Sequence, residues 1–276
     1  MNDFIINNLK KLKKNKIPNP EMDLRILINH SRLSFSEIIL SNFKINQINI
    51  KKFNLMLNRR LSHEPISKII NKKSFWKDDF FVNEFVLDPR PETEFLIEES
   101  QKIFLDKRSN LKILDIGTGS GSIAISLARE FKNADILGID ISENAIKVAE
   151  KNITEKKLND RIKLKKTTIH NIKENFDLIV SNPPYLTKKE LENISQEIRN
   201  FEPFISLDGG EDGLNFYREF ANKIPKIMNS KAYFLIEIGS NQYHHCREIF
   251  SVSSLKFEKK TQDLQKKDRI MVFSKL

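Results

Sequence analysis

Ile113-Leu114-Asp115-Ile116-Gly117-Thr118-Gly119-Ser120-Gly121-Ser122-Ile123-Ala124 is the stretch whose reading decides how this chain folds. The apolar, β-branched run reads as a buried strand, the alternate glycines as a tight turn, and the residues beyond as the start of a helix. Glycines let the backbone turn sharply and approach a ligand that any Cβ would push away. Gly138-Ile139-Asp140 then ends a second candidate strand, with its aspartate nineteen residues past Gly121. That spacing suits a carboxylate accepting hydrogen bonds from ribose hydroxyls.

The loop also discriminates among ligands. A dinucleotide fingerprint would read G-x-G-x-x-G and place its third glycine at position 122, which here is Ser122. Asp115, just before the loop, favours a cationic or amine-bearing ligand. A pyrophosphate would prefer helix-terminal N–H groups without a neighbouring carboxylate. S-adenosylmethionine, with an α-amino group and a sulfonium, fits this pattern better than NAD.

Outward from the loop, strands and helices alternate. Candidate strands are 111–116, 134–140, 161–166, 176–181, 231–238, 253–258 and 269–275. Such alternation implies an α/β fold with a parallel sheet covered on both faces. The last two strands are joined by a short polar link and should pair antiparallel. Upstream, Ser74-Phe75-Trp76 and Phe80-Phe81-Val82 flank Lys77-Asp78-Asp79, which predicts a β-hairpin over 73–88 linking two domains.

Residues 1–72 read as a small helical bundle. Phe4, Ile5, Leu9 and Leu12 recur at helical spacing, and Asn19-Pro20 opens a second helix. Ser34 with Glu37 forms a capping box for a short third helix through Ile38-Ile39-Leu40. A fourth runs from about Gln47 to Leu61. The bundle is expected to contact a substrate or partner, and residues 89–276 to form the catalytic domain.

A second informative stretch, Asn182-Pro183-Pro184-Tyr185, follows the strand Phe176-Asp177-Leu178-Ile179-Val180-Ser181. Two prolines fix φ and remove two backbone donors, so the chain leaves the strand stiff, with the Pro183 carbonyl unclaimed by a neighbour. Asn182 adds a side-chain acceptor and Tyr185 a ring. Two acceptors and an aromatic face make a clamp for a planar group bearing NH2. An amide nitrogen is a poor nucleophile, and a clamp that accepts both its hydrogens raises its electron density and orients it. An enzyme that modifies an amide or amino nitrogen would want such a clamp.

Composition narrows the setting. Of 276 residues, 39% are hydrophobic and 30% charged, ordinary for a globular chain. The net charge of +10 comes from scattered lysines without an aromatic-interleaved pattern, which argues against a nucleic-acid footprint. No apolar run is long enough for a membrane span, and the N-terminus lacks a secretory cleavage site. One cysteine, Cys246, forms no internal disulfide, and the five histidines show no metal-ligand spacing. These features predict a cytoplasmic protein with no metal and no membrane or stable nucleic-acid partner, and a monomer is expected.

Together, the glycine loop, Asp140 and Asn182-Pro183-Pro184-Tyr185 resemble the seven-stranded, Rossmann-like class I methyltransferases that act on nitrogen. Pro89-Arg90-Pro91-Glu92-Thr93-Glu94, Phe201-Glu202-Pro203 and Leu207-Asp208-Gly209-Gly210-Glu211-Asp212-Gly213 narrow the likeness. With the helical N-terminal region, they closely resemble the peptide chain release factor glutamine methyltransferases. The resemblance implies methyl transfer from S-adenosylmethionine to the side-chain nitrogen (N5) of the glutamine in the Gly-Gly-Gln motif of bacterial class I release factors. It implies cofactor contacts from Asp115, Gly117, Thr118, Gly119, Ser120, Gly121, Asp140, Ile169 and Asn182. It also implies substrate contacts from Asn182, Pro183, Pro184 and Tyr185, with Asn182, Pro183 and Tyr185 catalytic. Where many such enzymes carry an acidic residue for the adenine amino group, this chain has Thr167-Thr168-Ile169. Methylation of a ribosomal-protein glutamine, or of adenine N6, would use the same clamp. Glu237, ending a strand beside the presumed cleft, reads equally as a support for substrate and as a capping carboxylate.

Overall fold

The computed structural model describes residues 3–34, 36 and 38–275. It forms two compact units, one of Met1–Asn71 with Ser195–Phe201, the other of Lys72–Ile194 with Glu202–Leu276. Ser195–Phe201 thus groups with the first unit, although the strand pattern alone assigned it to the catalytic region.

In the first unit, helices α1 (Asp3–Lys14), α2 (Pro20–His30), α3 (Ile50–Leu61) and α4 (Ile66–Ile70) enclose a core of Leu12, Leu24, Leu27, Phe53 and Leu57. Arg60 and Asp23 are buried beside it and meet at 2.6 Å; Arg60 also bonds Glu197 at 2.6 Å. The short third helix expected through Ile38-Ile39-Leu40 does not form; a single turn covers Leu40–Asn42 instead. The reason is tertiary. The Ile38 backbone N–H donates to Asn29 Oδ1 at 2.8 Å, and its carbonyl accepts from Asn29 Nδ2 at 3.3 Å. Those groups are therefore lost to a helical ladder. Glu37, the other half of the expected capping box, lies outside the described residues. The helix expected from Gln47 begins later, at Ile50, where the Asn49 side chain accepts from the Lys52 N–H.

The second unit opens with the hairpin of β1 (Lys73–Phe75) and β2 (Asp78–Phe80). Next come α5 (Glu94–Ile103), β3 (Lys112–Ile116), α6 (Ser122–Glu130), β4 (Asp135–Asp140), α7 (Glu143–Glu155), β5 (Ile162–Lys166) and β6 (Phe176–Ser181). The short helix α8 (Lys188–Glu192) follows; α9 (Gln196–Phe201) belongs to the first unit, and the second resumes with α10 (Asn215–Lys223), β7 (Met228–Glu237), α11 (Tyr243–Ser251), β8 (Leu255–Gln262) and β9 (Asp268–Lys275). The seven-stranded sheet has the order β5-β4-β3-β6-β7-β9-β8, parallel except at β9, which is antiparallel to both neighbours.

Period-two alternation builds a core on each face. Ile113, Leu178, Val180 and Leu235 pack against α5 and α6, while Leu114, Ile179, Phe234 and Ile236 face α10 and α11. Each such side chain contributes about 1.5–3 kcal/mol by leaving water. Winding starts at β3, runs outward to β5, then returns to β6 on the other side of β3. Open sheets of this kind bind ligands at that reversal, beyond the carboxyl ends of the strands. Here the reversal falls between β3 and β6, where Ile116 pairs with Ser181. Among the described residues, no helix is long and apolar enough to cross a membrane.

Candidate active site

A cleft of about 300 Å³ opens where β3 and β6 part. Gly117, Thr118, Gly119 and Ser120 line one wall, Asp140 and Ile169 another, and Asn182, Pro183 and Pro184 a third. Residues from the three sequence signals, up to 67 positions apart from Gly117 to Pro184, therefore line one space.

The loop after β3 turns through left-handed glycines, with φ of 73° at Gly117, 54° at Gly119 and 78° at Gly121. A Cβ built at Gly117 would meet no atom within 4 Å, so the backbone there faces open space. Asp140 ends β4 and fastens the loop, its Oδ2 accepting from Gly119 N–H at 3.0 Å and its Oδ1 from Ser142 N–H at 2.9 Å. Each oxygen keeps a further lone pair. Burial pushes this carboxyl above the ordinary range, against the pull of the backbone N–H groups.

Asp115 sits elsewhere. It lies on the same face of β3 as Ile113 and is fully buried toward α6. Its Oδ2 accepts from Thr118 Oγ1 at 2.7 Å and from Ala124 N–H at 3.2 Å. Asp115 therefore ties the loop to α6 from behind, and its side chain is not among those lining the cleft. Burial raises its carboxyl to about 7. Gly121, the N-cap of α6, likewise stands behind the wall, 3.3 Å separating its hypothetical Cβ from that of Ala149.

The ladder of β6 ends at Ser181 on both sides. Beyond it, among the described residues, nothing donates to the Pro183 carbonyl or to Asn182 Oδ1. The other end of the Asn182 amide is engaged, Nδ2 donating to Thr93 Oγ1 at 2.9 Å. Two acceptors thus stand uncommitted beside the glycine loop. Tyr185 does not join them. Its ring packs against the core under α10 and α11, and burial raises its hydroxyl pKa well above the usual tyrosine value. The chain after it is braced, because Leu186 N–H donates to Leu207 carbonyl and Gly209 N–H to Leu186 carbonyl, at 3.0 and 2.9 Å.

Two supports escaped the sequence reading. Gln242 Nε2 donates to the Tyr185 carbonyl at 2.9 Å and to that of Gly213 at 3.1 Å, locking two loops together. No motif announces a glutamine 57 positions from its partner. Thr93 stood inside the quoted Pro89–Glu94 segment, but nothing in that segment identified it as the partner of Asn182. Glu202 holds the same segment near the cleft, accepting from Asp88 N–H and from Arg90 Nη2, each at 3.2 Å.

This geometry can be set beside known proteins. Residues 107–269 match a family described as a methyltransferase domain. The chain is 39% identical over 242 residues to the release factor glutamine methyltransferase of Buchnera aphidicola subsp. Baizongia pistaciae, covering 87% of this chain and 86% of that protein. It belongs to the release factor glutamine methyltransferase family. It is also 35% identical, over 96% of its length, to a bifunctional methyltransferase of Rickettsia felis, of which it spans 56%. A solved methyltransferase from Pyrococcus furiosus shares the fold, with a TM-score of 0.55 at 16% identity over 82% of this chain and 98% of that one. The sheet is thus the Rossmann-like sheet of a class I methyltransferase, with its last strands antiparallel.

The cofactor of this family member is S-adenosylmethionine, and the residues present fit it. The open space at Gly117 admits a ligand against bare backbone. Asp140 has acceptor capacity for ribose hydroxyls. Thr167, Thr168 and Ile169 line the cleft at the turn after β5, where an adenine amino group would need an acceptor. No acidic side chain lies at Thr167–Ile169; the hydroxyl and carbonyl oxygens there are acceptors, and Glu219 of α10 also lines the cleft.

Proposed function

We propose that this chain methylates the side-chain amide nitrogen of a glutamine in bacterial class I peptide chain release factors, the glutamine of their Gly-Gly-Gln motif. The observation that carries the reading is the pair of uncommitted acceptors, Asn182 Oδ1 and the Pro183 carbonyl, beside a glycine loop in one cleft. Bound against the loop, S-adenosylmethionine supplies an electrophilic methyl group on a positively charged sulfur.

The chain's own residues do the rest. Asn182 and Pro183 accept the two amide hydrogens, which localises electron density on nitrogen and fixes its direction of attack. Much of the barrier is removed by such placement. Pro184 stiffens the corner, and Tyr185 anchors it to the core from below. Asp140 and residues 117–120 hold the cofactor, with Ile169 packing beside it, while Asp115 and Gly121 shape the loop. No side chain is assigned as general base.

Residues 1–72 serve in this reading as a helical module that contacts the release factor, with 73–88 linking it to the catalytic region 89–276. The enzyme acts as a cytoplasmic monomer, without a membrane or a stable nucleic-acid partner.

The test is incubation with methyl-labelled donor and purified release factor, its Gln→Ala variant, DNA and ribosomal protein. Label on the unaltered release factor alone supports the reading. Label on ribosomal protein or DNA instead, or on the Gln→Ala variant as strongly as on its parent, overturns it.

A further inference from the structure

A buried carboxylate reaches the clamp through one hydroxyl. Glu237, at the end of β7, is 1% exposed, and its Oε2 lies 2.6 Å from Thr93 Oγ1. Thr93 is itself 3% exposed and receives the Asn182 Nδ2–H bond at 2.9 Å. A threonine hydroxyl has one proton to give and lone pairs to receive. An ionised carboxylate only accepts, so the Thr93 proton is committed to Glu237. Thr93 can then only accept from Asn182, which must turn its NH2 toward Thr93 and its oxygen away.

We propose that Glu237 and Thr93 are positioning residues for methyl transfer, which together set the end of the Asn182 amide that faces the cleft. The inference rests on the reading in which Asn182 Oδ1 accepts from the substrate amide. With Glu237 ionised, the clamp presents two acceptors to the two hydrogens of a carboxamide. A protonated Glu237 donates to Thr93 and frees the Thr93 proton for Asn182. The Asn182 amide then turns, and its NH2 meets the NH2 of the substrate, donor against donor.

The surroundings place this change near neutrality. Burial pushes the Glu237 carboxyl up to about 7, opposed by the Thr93 hydrogen bond. Arg269 on β9 and Arg90 before α5 favour the charged form, while Glu92 disfavours it. Tyr185 and Tyr217 also face it; the Tyr217 hydroxyl donates to the backbone carbonyl of Glu237, at 3.3 Å, and not to its carboxylate. Among the described residues, Thr93 is thus the hydroxyl that joins that carboxylate to the clamp.

The test is single-turnover methylation of release factor by the full chain across pH 5.5–8.5, beside cofactor titration, with Thr93→Val, Thr93→Ser and Glu237→Gln. The rate of the unaltered enzyme is expected to rise through neutral pH and then level. Thr93→Val should lose about 10–100-fold in rate and lose that rise, with cofactor affinity and substrate KM changed less than about threefold. Thr93→Ser should restore both rate and profile. Glu237→Gln, which cannot ionise, should give a reduced rate without the rise. The proposal is overturned if Thr93→Val or Glu237→Gln keeps the parent's pH rise, or if Thr93→Ser fails to rescue. Should Thr93→Val not fold, Thr93→Ser and Glu237→Gln still decide. A slow Asn182→Ala beside an unaffected Thr93→Val would sink the relay alone, whereas a normal Asn182→Ala would sink the clamp itself.

Discussion

Asn182 and Thr93, 89 residues apart, are joined by a hydrogen bond of 2.9 Å that leaves the Asn182 oxygen uncommitted beside the glycine loop. The bond ties the end of the fourth sheet strand in chain order to the turn before α5. The clamp is therefore oriented by a segment outside its own motif, and its neighbourhood yields several expectations.

Asp140 links loop order to ligand affinity. Asp140→Ala removes the acceptor for Gly119 and Ser142 N–H groups together with that offered to ribose. Cofactor affinity should fall about 10–100-fold, the worth of one or two charge-assisted hydrogen bonds. Calorimetric titration checks this, and unchanged affinity would remove Asp140 from the cofactor site.

Gly117 combines a left-handed φ of 73° with open space at its Cβ position. Gly117→Ala should cost about 1–2 kcal/mol of stability through backbone strain. It should also weaken cofactor binding, because the methyl occupies the cradle. Melting temperature and cofactor titration separate the two effects; wild-type affinity would show that the ligand does not approach this backbone.

Asp115 makes stability depend on pH in a direction opposite to that of an ordinary salt-bridged carboxylate. Its folded pKa is raised by burial to about 7, while the unfolded value lies near 4. Between those values the folded state holds more protons, so this contribution is full below about pH 4 and is lost as pH rises through 7. Asp115→Asn should flatten the decline in chemical-denaturation stability between pH 5 and 7.5. An unchanged slope would contradict the assignment.

Arg60 and Asp23 form a buried pair in the first unit, with side-chain exposures of 4% and 8%. Asp23→Ala strands a buried guanidinium that has Glu197 as its remaining carboxylate partner, and should cost that unit about 3–5 kcal/mol. Urea denaturation followed by a probe in residues 1–71 measures it. A loss below about 1 kcal/mol would mean that Glu197 carries the charge alone.

Much of this site was legible in local sequence because its chemistry sits in short contiguous runs. Glycine at alternate loop positions, the acidic end of β4 and the paired prolines each constrain the backbone where they stand, and the strand periodicity located the sheet to within a few residues. What stayed hidden depends on contacts distant in sequence. Asn29 captures the Ile38 backbone and cancels a helix that periodicity and capping both favoured. Asp115 faces α6 because strand alternation, not its proximity to the loop, directs its side chain. Tyr185 turns to the core, and Gln242 and Thr93 gain their roles only when the sheet brings their partners to them.

The clamp itself is tested most directly by single-turnover methyl transfer with Asn182→Ala at saturating cofactor, beside cofactor titration. Loss of one preorganised hydrogen-bonding group at a reacting centre typically slows catalysis about 10²–10³-fold. The account predicts a loss of that size with cofactor affinity nearly intact. A rate within a few-fold of the parent enzyme would contradict it.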